Sequence, residues 1–205
     1  MKNTRLILID GYAAAGKSTC LQILSELLGQ NFHYVVKYST RQPRLNEIEQ
    51  EIFSENCFLS QGEFEERNLD FIYLKGGAYY GLSKQDIESQ LENKCAFVLA
   101  NEYFRGKILS GYSDKFEIIQ LFVDASSENR LKRIHAARNG EAQMQQRLER
   151  FHANKERSMQ DFDMIIDNNH SLEDFRRALE KSIPEIDSCG ELLANASKLK
   201  DEHKL

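Results

Sequence analysis

The sequence predicts an α/β fold with a mainly parallel sheet flanked by helices, and three observations carry that expectation. Short apolar runs of strand length alternate along the chain with stretches of helical periodicity. The first run, Arg5–Asp10, is continuously apolar from Leu6 to Ile9, as a parallel strand covered on both faces requires. A glycine-bounded turn then leads straight into an amphipathic segment.

That segment starts near Lys17. Cys20, Leu21, Leu24, Leu27 and Leu28 fall on one helical face, and Gly29 is the expected stop. Phe32–Thr40 reads as a second strand of the parallel core. Residues 41–83 are polar, with short apolar runs at Ile52–Phe58 and Phe71–Leu74 and the glycines Gly76, Gly77 and Gly81. They read as an inserted lobe of short strands and turns. Ser83 opens a helix that ends near Asn93. Ala96–Ala100 and Phe116–Val123 are strands. Ser126 to about Arg138 and the charged stretch Glu141–Gln160 are helical, and Met164–Ile166 is a very short strand. Ser171 and Asp174 cap a helix expected to reach about Ser182, where Pro184 stops it. The last twenty residues read as a charged helical tail.

The chain has 205 residues, 41% of them hydrophobic and 29% charged, which suffices for one domain with a buried core. Its formal net charge of −5 argues against nonspecific nucleic-acid binding, so an anion site must be a local cluster of Arg and Lys. Cys20, Cys57, Cys95 and Cys189 include no CxxC pair and read as reduced thiols. No stretch approaches transmembrane length, and Leu6–Ile9 is too short for a secretory signal. The expectation is a cytoplasmic monomer or homodimer without nucleic-acid or membrane partners.

Gly11-Tyr-Ala-Ala-Ala-Gly16-Lys17-Ser18-Thr19 satisfies the phosphate-loop pattern G-x-x-x-x-G-K-[ST]. Gly11 and Gly16 permit the backbone conformations that aim successive N–H groups at phosphate oxygens. Ala13, Ala14 and Ala15 keep the loop small. Lys17 supplies a point charge to the outer phosphates, and Ser18 offers a hydroxyl to Mg²⁺. The helix that follows turns its positive end toward the anion. Asp10 is placed either to order the metal through water or simply to end its strand. ATP and Mg²⁺ are the expected cofactors.

Ser39-Thr40-Arg41-Gln42-Pro43-Arg44 ends the second strand with two guanidinium forks suited to a phosphate. Here the chain resembles the guanylate kinase family. The resemblance covers residues 5 to about 182. It rests on the phosphate loop, on Ser39–Arg44, on Gly76-Gly77-Ala78-Tyr79-Tyr80-Gly81-Leu82-Ser83, on the arginine-rich stretch Leu131–Arg150 and on Ile165-Ile166-Asp167-Asn168-Asn169. It implies a P-loop NTPase fold with a small acceptor-binding lobe at 41–83 and a helical lid near 135–150. In that reading Arg41, Arg44 and Tyr80 bind the acceptor's phosphate. Arg138 and Arg147 reach the transferring phosphoryl group, and Asn168 lies near adenine. The chain departs from the family at Phe53, where a tyrosine is usual. It departs again at Phe71, with Asp70 adjacent, where a glutamate reads guanine, and at Leu99-Ala100-Asn101-Glu102, where acids are usual.

The resulting expectation is an ATP-dependent phosphotransferase acting on a small phosphorylated acceptor, GMP first. A ribose 1,5-bisphosphate phosphokinase, a related branch with no base to read, is the alternative acceptor class. A phosphate acceptor is already ionised, so no general base is needed. His33, His135, His152, His170 and His203 accordingly show no metal or catalytic spacing. Arg130, Arg133, Arg138, Arg147 and Arg150 are either lid groups or the solvated face of two helices. A non-catalytic interaction module fits less well, because such domains typically have degraded phosphate loops and this one is intact.

Overall fold

The computed structural model describes residues 4–43, 47–48, 56–136, 141–152 and 158–186. Arg5–Gly11 forms β1, and the alternation of its side chains decides the architecture. Ile7 and Ile9 enter one apolar cluster while Leu6 and Leu8 enter another, so both faces need a cover. β1 is flanked in parallel by β6 (Cys95–Leu99) and β7 (Glu117–Asp124), and β8 (Met164–Asp167) pairs with β7. Among the described residues the main sheet therefore runs β6-β1-β7-β8, all parallel.

On one face lie α1 (Lys17–Leu28) and α7 (Leu172–Ile186), which contribute Leu21, Leu24, Phe175 and Leu179. On the other lie α3 (Lys84–Leu91) and α4 (Glu102–Tyr112), with Ile87, Leu91, Phe104 and Ile108. A second sheet meets that second cluster. Its order is β3-β2-β5-β4, from β2 (Lys37–Ser39), β3 (Asn56–Phe58), β4 (Phe71–Lys75) and β5 (Ala78–Leu82). Phe71, Tyr80 and Leu82 from this sheet pack with Leu6 and Leu8 of the first.

Several expectations change. The second strand does not run in the parallel core as far as Thr40. His33–Val35 follows the edge of β6, with Val35 donating to the Phe97 carbonyl and Phe97 to that of His33, and Tyr34 bridging Phe97. The chain then crosses to the small sheet, where Tyr38 and Ser39 pair antiparallel with β5. The segment 41–83 also contains a helix, α2 (Gln61–Glu66), opened by a capping box between Ser60 and Glu63. A further unexpected helix, α4, starts where the Asn101 side chain accepts the Phe104 N–H at 2.9 Å.

Pro184 does not stop α7, which continues to Ile186. A proline in a helix interior costs about 3 kcal/mol. Ile183 and Ile186 are both buried, and full burial of such a side chain is worth about 1.5–3 kcal/mol. The stripe Phe175, Leu179, Ile183 and Ile186 thus carries the helix through the proline. Arg5 secures the end by donating from Nη1 to the carbonyls of Glu185 and Ile186. The charged stretch after residue 140 forms α6 (Glu141–His152), with a single 3₁₀ turn at Met159–Asp161 further on. The expected tail, 187–205, lies outside the described residues.

Candidate active site

The phosphate loop is built at the C-terminal end of β1, where parallel pairing with β7 continues through Gly11 opposite Val123. Gly11 has φ 154°, and a Cβ there would stand 2.6 Å from the Val123 carbonyl oxygen. Gly16 has φ 105° and precedes the first turn of α1. Both are positions that only glycine fills without strain. Ala14 also takes a positive φ, 62°, and Ala15 is fully buried. Ala13 is half-buried at the crest of the loop.

Lys17 turns back into this loop, donating from Nζ to the carbonyls of Gly11 at 2.7 Å and Tyr12 at 2.8 Å. A charged donor is thus held among the loop's own carbonyl oxygens. Ser18 and Thr19 are exposed on the first turn of α1. Asp10 is buried, and its carboxylate accepts the Gly11 N–H at 2.7 Å. That bond ties the strand end to the loop start.

Asn168, at the end of β8, is where the tertiary structure adds most. Its backbone N–H donates to the Asp124 carbonyl at 2.8 Å, and its Nδ2 donates to the Ala15 carbonyl at 2.7 Å. Arg133, from α5 (Ser127–Ala136), completes the arrangement. Its Nη1 donates to the carbonyls of Ala14 and Ala15, and its Nη2 to the Asn168 carbonyl at 2.7 Å and Oδ1 at 3.3 Å. Partial burial pulls the Arg133 guanidinium's pKa below its ordinary value. It remains a cation lying against the phosphate loop. The sequence marks Arg133 only as one arginine among several on two charged helices, and nothing in its spacing sets it apart.

Arg130 has a different fate. It is buried, with its guanidinium 4.6 Å from the Tyr12 ring centre and 4.9 Å from that of Phe151 on α6. Its Nε donates to the Ala125 carbonyl and its Nη2 to the Ser127 hydroxyl. It thus joins the phosphate loop, α5 and α6 as a packing element. Arg147 is half-buried on α6, one turn before Phe151. Arg138 lies outside the described residues.

The residues expected to bind the acceptor form a second cluster at the end of β2. Ser39 pairs with Tyr80, the Thr40 N–H donates to the Tyr79 carbonyl, and the Tyr79 N–H donates to the Thr40 hydroxyl. This clamp delivers Arg41 beside β3, with its guanidinium 4.8 Å from the Phe58 ring centre. Arg41 is held by Glu47, which no sequence signal singled out: Nη1 donates to Oε2 at 2.7 Å and Nη2 to Oε1. Tyr80 is buried and stacks on Tyr73 with ring centres 5.0 Å apart, and Tyr73 in turn meets Tyr103 and Phe104 of α4.

Phe71 is buried in the cluster between the sheets. Asp70 uses Oδ2 to accept the Lys84 N–H at 2.7 Å, so its carboxylate holds the first turn of α3. Arg44 and Phe53 lie outside the described residues. Among the described residues, no three His, Cys, Asp or Glu side chains form a metal cluster. Among the described residues, the donor offered at the phosphate loop is the Ser18 hydroxyl. That suits Mg²⁺, which keeps waters and binds largely through substrate phosphates. Among the described residues no helix is long and apolar enough to cross a membrane.

Comparison with known proteins bears on the family and the fold. Residues 3–185 match the family model described as guanylate kinase. The guanylate kinase of Chlamydia muridarum is 28% identical over 171 residues, which cover 80% of each chain. That of Chlamydia felis is 30% identical over 153 residues, 71% of each chain. The crystal structure of guanylate kinase from Anaplasma phagocytophilum superposes with a TM-score of 0.59 over 92% of this chain and 88% of that one. At 14% identity, that likeness speaks for the fold.

Proposed function

The chain belongs to the guanylate kinase family and is by that membership an ATP-dependent nucleoside monophosphate kinase, and from this premise we propose that its acceptor is GMP, converted to GDP. The observation that carries the proposal is the Arg41 fork, which the β2–β5 clamp delivers over Phe58 of β3. The names of the relatives supply the base. The proposed organisation is a core of 5–40 and 84–182, an acceptor lobe at 41–83 and a lid near 135–150.

In this reading the phosphate loop from Gly11 to Thr19 cradles the outer phosphates of ATP through its backbone N–H groups. Lys17 leaves the carbonyls of Gly11 and Tyr12 to neutralise the transferring group. Ser18 would hold Mg²⁺ together with the phosphates, and the ion would supply further neutralisation of their oxygens. Arg41 and Arg44 hold the acceptor's phosphate in line. One of its oxygens forms the new bond to the γ-phosphorus, while the bond from that phosphorus to the bridging oxygen breaks and ADP leaves with the electron pair. Arg138 and Arg147 approach from the lid to the equatorial oxygens. Asn168 serves the nucleotide site by holding Ala15 in place, and Arg133 joins it there.

A second acceptor reading is favoured by the burial of Phe71 and the engagement of Asp70 with Lys84. With neither side chain offered to a base edge, ribose 1,5-bisphosphate becomes the competing acceptor. The test offers GMP, dGMP, AMP, UMP and ribose 1,5-bisphosphate together and resolves products by mass. Preferential formation of GDP is expected. Exclusive phosphorylation of the ribose bisphosphate overturns the proposal.

A further inference from the structure

The phosphate fork of Arg41 is occupied by a carboxylate of the same chain. Nη1 and Nη2 donate to the two oxygens of Glu47 in parallel, at 2.7 and 2.5 Å, the bidentate geometry with which a guanidinium also takes two phosphate oxygens. Each side chain is only 14% exposed, so solvent and salt screen the pair little. The guanidinium cannot drift away to relieve a competition. It is fixed over Phe58, and Nη1 also donates to the Gln42 carbonyl at 3.0 Å.

We propose that Glu47 is a specificity-determining residue of the acceptor site, an internal carboxylate from which an incoming phosphate must take Arg41. The inference rests on the reading of Arg41 as the grip on the acceptor's phosphate. Glu47 is six residues from Arg41, and a short tether gives it an effective concentration in the millimolar range or above. A free carboxylate makes the same two bonds as Glu47 and competes at its own, lower concentration. It therefore gains nothing and is excluded. A phosphate monoester brings about −1.5 to −2 charges at neutral pH and three strongly accepting oxygens. That surplus lets it displace Glu47. The filter makes acceptor affinity lower than the bare guanidinium would give, and in return keeps an arginine with little solvent contact from pairing with any passing anion. The opposite arrangement, with Glu47 staying bound to orient Arg41 under the acceptor, requires that loss of Glu47 weaken acceptor binding. The sign of the effect therefore decides.

The experiment is calorimetric titration of wild type, Glu47→Gln and Glu47→Asp with GMP, AMP, ribose 1,5-bisphosphate and acetate, without ATP, alongside a separate ATP titration. The Gln variant keeps the shape and a neutral hydrogen-bonding group, and the Asp variant shortens the reach. Both are expected to bind the wild-type acceptor more tightly, about tenfold for Gln on the scale of a charged hydrogen bond. The Kd for ATP should not move, and acetate should become a measurable ligand of Glu47→Gln. An unchanged or raised acceptor Kd in both variants overturns the role of Glu47. Arg41→Ala separates the two levels. If it leaves acceptor binding unchanged, or if none of the three phosphates binds wild type, the acceptor reading falls and this inference with it. If Arg41→Ala weakens binding while Glu47→Gln does not strengthen it, this inference falls alone.

Discussion

Gly16→Ala tests the brace on the phosphate loop. An added Cβ would stand 2.2 Å from Nδ2 of Asn168, far inside contact distance, on a backbone at φ 105°. The amide cannot swing away without loss, because Nδ2 donates to Ala15 and Oδ1 accepts from Arg133. The left-handed conformation costs a residue with a Cβ about 1–2 kcal/mol. Giving up the bond to the Ala15 carbonyl costs about another 0.5–1.5 kcal/mol. A penalty of about 2–3 kcal/mol in a chain of this size lowers Tm by roughly 5–10 °C. The assay is thermal unfolding of wild type, Gly16→Ala, Asn168→Ala and the double variant. Asn168→Ala removes the collision but not the backbone strain, so Gly16→Ala should cost about 1 kcal/mol less in that background. An equal drop in both backgrounds, or none in either, would refute the reasoning.

Three further outcomes are expected. Lys17→Ala should fold normally by circular dichroism yet lose at least about 10²-fold in kcat, the scale of one electrostatic contributor; near-normal turnover would remove the role assigned to Lys17. Burial pushes the Cys20 thiol far above its ordinary range, whereas Cys57 is half-buried, so an aromatic disulfide reagent should label Cys57 in the folded protein and Cys20 only after unfolding. Peptide mapping by mass reads this, and prompt labelling of native Cys20 would contradict the packing behind α1. The Ser171 hydroxyl bonds to Asp174 and holds its carboxyl below the usual range. A lowered folded value means a contribution present above the unfolded value of about 3.9 and lost as pH falls through the folded one. Ser171→Ala should therefore lower Tm at neutral pH, with the gap narrowing below about pH 4 to the part carried by the hydroxyl's bond from the Asp174 N–H; a gap that widens in acid would reverse the assignment.

The phosphate loop was legible in the sequence because each of its requirements is local. Gly11 and Gly16 answer dihedral needs at their own positions, Lys17 and Ser18 sit at fixed offsets, and the unbroken run Leu6–Ile9 reports a strand covered on both sides. The caps at Ser83 and Ser171 were legible for the same reason, since a capping hydroxyl acts within three residues.

What the sequence could not show are the decisions taken between distant segments. The run Phe32–Thr40 carries no mark of the point where it leaves β6 for the small sheet, because both sheets accept the same apolar residues. Pro184 reads locally as a stop, and burial of Ile183 and Ile186 under the main sheet overrides it. Asn168 and Arg133 reach the loop across 153 and 118 residues, and Arg41 finds Glu47 inside a polar stretch with several acids to choose from. Spacing along a chain specifies which conformations its backbone can take. Which side chains then share a few ångströms depends on strand register and on how helices cover a sheet, and those are settled by the packing of the whole chain.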